Sequence, residues 1–135
     1  MKKRGFTLIE LLVVMAIIAM LASVVLATLT TMQTKSRDTR RLEDVNQLKN
    51  ALSLYYIDNN GFPLESTAIN IDGSDDLTSA LVAAGAISAF AGDPNTPIYD
   101  YTYQSQGVAS YTITFCLETD SIPNYSQGCG NTISP

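Results

Sequence analysis

The sequence predicts an α+β fold: a long N-terminal α-helix, membrane-spanning in its first half and amphipathic in its second, packed on a small antiparallel β-sheet. Three observations carry this expectation. From Leu11 to Thr34 there are 24 consecutive residues without Lys, Arg, Asp or Glu, dominated by Leu, Val, Ile, Ala and Met. Beyond them Leu42, Val45, Leu48, Leu52 and Tyr55 or Tyr56 recur at spacings of three and four, the pattern of a helix with one buried stripe. Nearer the C-terminus, Tyr99, Tyr101 and Tyr103 alternate with Asp100, Thr102 and Gln104, and a second alternating run extends from Val108 to Leu117.

The uncharged run would extend about 36 Å as α-helix, more than the roughly 30 Å hydrocarbon core of a bilayer. Neither Gly nor Pro occurs between Phe6 and Asn60, so nothing in that interval breaks a helix and one rod is expected through both halves. Asp58-Asn59-Asn60-Gly61-Phe62-Pro63 then stops the helix and turns the chain. Residues 62 to 97 read as a connecting region. Within it, Ser74-Asp75-Asp76 caps a short helix that runs through Leu77, Leu81 and Val82 towards Gly85, and Asp93-Pro94-Asn95-Thr96-Pro97 is a turn. The two alternating runs form a hairpin that turns at Ser105-Gln106-Gly107, with Tyr111, Ile113, Phe115 and Leu117 covering the helix stripe. The tyrosines are read as sheet packing, not as a ligand platform. A third short strand is expected near Asn131 to Ser134.

Formal net charge is −5, but three of the eight basic residues, Lys2, Lys3 and Arg4, precede Phe6. Without them five basic residues face thirteen acidic ones, a net −8. Such a body offers no basic face for phosphate, so direct nucleic-acid binding is not expected. With no histidine and only scattered carboxylates, an enzyme would have little from which to build a site. Arg37, Asp38, Arg40, Glu43, Asp44 and Lys49 lie largely opposite the apolar stripe and read as a solvated collar, with contacts to neighbouring copies as the functional alternative. Cys116 and Cys129 stand thirteen positions apart with Pro123 and Gly128 between them. In an oxidising compartment they would close a surface loop, a stabilisation of roughly 3 kcal/mol in the chain-entropy account; two free thiols are the alternative. Two thiols without histidine fall short of the four ligands of a zinc site.

The basic start of the chain fits a secretory signal, but the apolar stretch exceeds the usual 7 to 15 residues or so and carries Glu10 inside it. Val25-Leu26-Ala27 would be only a weak cleavage site, so a retained anchor is expected. Lys2, Lys3 and Arg4 on one side compete with Lys35, Arg37, Arg40 and Arg41 on the other, and the positive-inside rule alone does not orient the helix. The cysteine pair favours a C-terminal body outside, with the short basic tail in the cytoplasm.

Lys3-Arg4-Gly5-Phe6-Thr7-Leu8-Ile9-Glu10-Leu11-Leu12-Val13 strongly resembles the N-terminus of type IV prepilins and of the related pseudopilins of type II secretion systems. The resemblance is close over about the first 30 residues and extends in outline to the order helix, loop, sheet and terminal loop. It implies a pilin-like fold with a leader peptide at residues 1–5, an assembly and transmembrane segment at 6–34, and an extracytoplasmic head at 35–135. In that family a membrane-embedded prepilin peptidase cuts after the glycine, here Gly5, and methylates the new N-terminus, here Phe6. The mature subunits, first held in the bacterial inner membrane, are drawn by assembly machinery into a homo-oligomeric helical filament, extracellular or periplasmic. The resemblance admits a subunit of a type IV pilus-like filament or a major-type pseudopilin. The cysteine loop leans towards the first, and residues 93 to 101, which look somewhat like major pseudopilins, towards the second.

This resemblance gives Glu10 a partner. A charge deep in a membrane helix costs about 2.5–3.5 kcal/mol on insertion scales, whereas an opposite charge at 4 Å returns about 4 kcal/mol at an effective dielectric of 20. Cutting at Gly5 creates a cationic amine on Phe6, and in the family's filaments the glutamate neutralises that amine on a neighbouring subunit. The simpler reading is a first-turn Glu favoured by the helix dipole and reaching to headgroups. Many pilins carry a Pro, and several an earlier Gly, within the embedded segment; Met20 to Leu29 has neither, so helix melting on assembly is not expected. Major pseudopilins often bind calcium through their terminal loop, and Glu118, Asp120, Ser121 and Asn124 supply hard oxygens at plausible spacing, with a solvated acidic loop as the alternative. No other cofactor is expected.

Overall fold

A computed structural model describes residues 5–135, apart from the side chain of Ala27; Met1–Arg4, and with them all of the expected leader except Gly5, lie outside the described residues. Helix α1 (Leu8–Asn59) is followed by β1 (Glu65–Ile71), α2 (Asp76–Ala83), β2 (Tyr101–Gly107), β3 (Ser110–Leu117) and β4 (Gly128–Ile133). The four strands form one antiparallel sheet in the order β1-β2-β3-β4. The fold is therefore α+β, with a long N-terminal helix and a small sheet. Two compact units are present, one ending at Thr34 and the other comprising Lys35–Pro135.

In the first unit α1 contains a stretch with mean hydropathy 2.8, none of it buried within the chain. Its length and composition suffice to cross a membrane. Three hydroxyls in this arm bond back to carbonyls of their own helix: Ser23 Oγ to Met20 at 2.8 Å, Thr28 Oγ1 to Val24 at 2.8 Å and Thr34 Oγ1 to Thr31 at 2.9 Å. These hydroxyls thereby reach an acceptor without water, as an apolar solvent requires.

In the second unit the stripe of α1 is realised: Val45, Leu48, Ala51 and Leu52 are buried, and Leu42 and Tyr55 pack at its margin. They join Tyr101 and Tyr103 of β2, Tyr111, Ile113, Phe115 and Leu117 of β3, and Leu77 and Leu81 of α2 in one core. Two phenol hydroxyls of this core are anchored, Tyr101 to Asp44 Oδ2 at 3.0 Å and Tyr103 to the Pro63 carbonyl at 2.7 Å. The helix ends as its sequence directs, with Asn60 in the left-handed region at φ 56°. Asp75 caps α2 by accepting from the Thr78 amide.

Four expectations need correction. The segment read as a connection contains β1, an edge strand in which Ile71 and, in part, Ile69 pack inward while most side chains are exposed. A register shift between Glu65 and Ile69 removes the clean alternation by which a strand is recognised. The hairpin does not turn at Ser105-Gln106-Gly107: β2 runs through Gly107 and the turn falls on Val108-Ala109. The buried Ser105 hydroxyl lies 2.9 Å from the Gly107 carbonyl and 2.8 Å from that of Ser110, joining the strand ends across an irregular register. Finally, β4 begins at Gly128, ahead of the expected Asn131, and Tyr99 stands outside β2.

The chain leaving α2 returns against the β1–α2 turn so closely that a Cβ on Gly73 would lie 2.1 Å from the Phe90 carbonyl oxygen, at a residue whose φ is +95°. Both backbone strain and steric overlap therefore demand glycine. Gly73→Ala is expected to destabilise the head by at least about 1–3 kcal/mol, measured as a lowered urea midpoint of the detergent-solubilised chain; an unchanged midpoint would show that the two loops separate freely.

Candidate functional site

Two features of this chain have functional consequences: the N-terminal arm and a cluster of charges at the start of the head. At the arm's N-terminus Gly5 is exposed and lies before the helix. A Cβ there would meet nothing within 4 Å among the described residues, so the fold places no demand for glycine at this position. Phe6 is 79% exposed. Thr7 and Glu10 close a reciprocal cap on α1. The Glu10 amide donates to Thr7 Oγ1 at 3.2 Å, while Glu10 Oε2 accepts from the Thr7 amide at 2.9 Å and the Thr7 hydroxyl at 2.8 Å. Before any cut the Phe6 nitrogen is an uncharged amide, and the carboxylate turns to the backbone one residue further on. A role for Glu10 as a first-turn cap is thus already present within one chain. The sequence reading invoked the helix dipole and overlooked Thr7, whose spacing of three before a Glu is the signal of such a box.

Along the rest of the arm the apolar side chains are exposed, from Leu8 at 87% through Met20 at 75% to Met32 at 63%. Apolar surface this continuous is not left to water by a stable protein and calls for lipid or other protein.

The expected solvated collar is instead divided. Arg40 and Glu43 are exposed, but Asp38 is fully buried, and so is Arg41, which was not counted in the collar. Arg41 Nε and Nη2 bind Asp93 as a fork at 2.7 and 3.0 Å; its Nη1 reaches Asp38 Oδ1 at 2.9 Å and Glu118 Oε1 at 2.8 Å. The Tyr99 ring lies against the guanidinium, 4.9 Å from centroid to Cζ. Arg37 forks onto the same Glu118 carboxylate, at 2.7 Å from Nε. Asp38 in turn accepts from the Glu118 and Thr119 amides at 2.8 and 2.9 Å and from the Thr119 hydroxyl at 2.7 Å. Two guanidiniums and three carboxylates from α1, the α2–β2 connection and the end of β3 therefore meet at one point. The reason is directional: a planar guanidinium with five donors satisfies three acids that no single ammonium matches.

Burial, the largest influence on Arg41, opposes its charge, but the bonds from Asp93, Glu118 and Asp38 more than reverse this and raise its pKa above the ordinary value. The Arg37 hydrogen bond, aided by Arg41 and opposed by burial, holds Glu118 down to about 2 from an ordinary 4.5. Nearby, burial raises Asp44 despite its bond from Tyr101 and the charge of Arg40.

The remaining predicted site residues are distributed differently. Cys116 and Cys129 form a disulfide with a Cα–Cα separation of 4.0 Å. Glu118, read as a calcium ligand or a solvated loop acid, is half-buried, and both its oxygens accept from arginines. Asp120 Oδ1 accepts from the Gln127 amide at 2.6 Å, Ser121 Oγ pairs with Thr119 Oγ1 at 2.7 Å, and Asn124 is exposed at φ 71°. Among the described residues no group of three or more acidic, Cys or His side chains converges as a metal site.

Residues 1–26 match the family model described as the prokaryotic N-terminal methylation motif, which is the prepilin motif of type IV pilins and pseudopilins. The chain thus carries a prepilin-type N-terminus, and its arm is the part that the match covers. No curated protein and no solved structure matches the chain.

Removing Arg41 while leaving Asp38 and Asp93 in the interior is expected to cost about 3–5 kcal/mol. Arg41→Met should therefore lower the denaturation midpoint far more than Arg40→Met at the exposed neighbour, and equal effects would contradict a buried hub. Glu118 has a depressed folded pKa, so its stabilisation is complete above about pH 4.5 and is lost as pH falls towards about 2. Glu118→Gln should cost about 1.5–3 kcal/mol at neutral pH and flatten the stability profile across that window, as followed by urea titrations at stepped pH.

Proposed function

We propose that this protein is a structural subunit of a type IV pilus-like filament, made as a membrane-anchored precursor, cut after Gly5, methylated on Phe6 and assembled through its apolar arm. The observation that carries this reading is the coincidence of the prepilin motif with a helix whose apolar surface is unburied in the single chain. Lipid covers that surface before assembly; other arms cover it in the filament. Freed from the leader, the Phe6 amine of one subunit meets Glu10 of a staggered neighbour, and Glu10 exchanges its bonds to Thr7 for a full charge. The Cys116–Cys129 disulfide supports an oxidising environment for the head, and hence a cytoplasmic N-terminus.

A second reading, a major-type pseudopilin of a type II secretion system, draws on the stretch from Asp93 to Tyr101. The two differ in phenotype: loss of the protein removes surface fibres in the first case and blocks export of secreted proteins in the second.

The mature chain is expected to lack Met1–Gly5 and to carry one methyl group on Phe6, as intact-mass measurement of the membrane fraction would register; a chain retaining Met1 defeats the reading. Fibres sheared from cells and counted by electron microscopy should fall by more than about tenfold in Glu10→Gln, because an amide keeps the cap but lacks the charge needed to pair with an amine.

A further inference from the structure

Of the eight asparagines in the chain, Asn124 alone is followed two positions later by Ser or Thr with a residue other than Pro between them: Asn124-Tyr125-Ser126. Asn-x-Ser/Thr is the acceptor motif for N-linked glycans. Such triplets arise by chance; what distinguishes this one is its presentation. The loop between β3 and β4 is closed at three successive levels: by the Cys116–Cys129 disulfide, by the Gln127 amide donating to Asp120 Oδ1 at 2.6 Å, and by the Tyr125 amide donating to the Ile122 carbonyl at 3.3 Å. Asn124 stands exposed at the tip of the innermost turn, with Pro123 before it and a φ of 71°, the left-handed third position that Pro-x turns of this kind use. The turn is held from beneath, since Ile122 belongs to the core and Tyr125 packs edge-on to Phe115 with centroids 5.1 Å apart.

Neither acceptor group serves the fold. Among the described residues the Asn124 carboxamide has no hydrogen-bond partner, and neither has the exposed Ser126 hydroxyl. The Ser126 backbone, by contrast, is gripped on both sides by Asn131, whose Oδ1 accepts from its amide at 3.0 Å and whose Nδ2 donates to its carbonyl at 2.8 Å. Asparagine is tolerated in the left-handed region because its side chain can bond locally. With no such bond here, glycine would meet the demand of the backbone with less strain. A free carboxamide and a free hydroxyl are thus held outward on a fixed turn. The base of the loop, at Glu118 and Thr119, is bound to Arg37 and Asp38 of α1, only three and four positions past Thr34. In a membrane-anchored chain this keeps the loop near the bilayer surface, where a lipid-linked donor resides.

We propose that Asn124 is a site of N-linked glycosylation. The donor is of the class of lipid-pyrophosphate-linked oligosaccharides, and the catalyst is a transferase in the same membrane. The Asn124 carboxamide nitrogen bonds to the anomeric carbon of the glycan, and the bond from that carbon to the pyrophosphate oxygen breaks. The lipid pyrophosphate leaves with the bonding electrons, and the amide proton passes to a base of the transferase; nothing is oxidised or reduced. Transfer requires the head on the outer side of the membrane, and in that respect the inference rests on the proposed function.

The full chain purified from the membranes of its own cells should exceed the mass of its polypeptide by whole sugar residues, with the excess on the peptide that contains Asn124. Asn124→Gly suits the left-handed backbone and leaves the head folded, so it should lose the excess completely. Ser126→Ala should lose it and Ser126→Thr should keep it. A polypeptide mass without excess would overturn the proposal, and so would sugar retained in Asn124→Gly, which would put it on Ser126 or elsewhere. If Met1–Gly5 is absent and Phe6 methylated, either of those failures leaves the filament reading standing. An unprocessed N-terminus defeats that reading, while the mass of the Asn124 peptide still decides this one.

Discussion

The Arg41 guanidinium sits out of water between Asp38, Asp93 and Glu118, and most of the head's architecture answers to that placement. A buried cation is tolerable only if every donor finds an acceptor, and here the acceptors come from three stretches far apart in the chain. Clusters of this kind add little net stability compared with an apolar core of the same volume. What they impose is a penalty on alternatives, since any arrangement that leaves one member buried and unpaired is several kcal/mol worse. The connection that carries Asp93 and the loop that begins at Glu118 are thereby held to the first turns of the helix within the head.

The same loop is restrained a second time. Cys116, two residues before Glu118, is bonded to Cys129 in β4, and Asp38 accepts from the backbone amides of Glu118 and Thr119. The edge strand β4 is thus joined to its neighbour covalently, while the loop between them is held to α1 by charge. From β2, Tyr101 reaches Asp44 on α1 and Tyr103 the Pro63 carbonyl in the segment that follows α1. Sheet and helix are connected by directional bonds around an apolar centre, which selects one register.

The arm obeys a different solvent. The hydroxyls of Ser23, Thr28 and Thr34 turn back on carbonyls of their own helix, its apolar side chains face outward, and its one acid is folded onto the helix cap. That cap is suited to exchange. Thr7 can release the carboxylate at the cost of a cap, about 1 kcal/mol, which is less than an amine at close range returns in a medium of low dielectric. On the proposed filament reading, a subunit would rest in the membrane with Glu10 satisfied internally and still gain on meeting a neighbour.

Much of this was determined by sequence alone. Period and composition are local properties, so the uncharged run after Glu10, the stripe from Leu42 to Tyr55, the stop at Asn60 and the cap at Asp75 were legible without coordinates, as was the motif around Gly5. Edge strand β1 was not, because an exposed strand with a bulge has no alternation to display. Nor was the hub: Asp38 and Arg41 have the spacing of an ordinary surface pair, and only long-range closure, over 52 residues to Asp93 and 77 to Glu118, took them out of water. Whether a charged side chain is solvated or buried depends on what the rest of the chain brings beside it, and that is a property of tertiary structure.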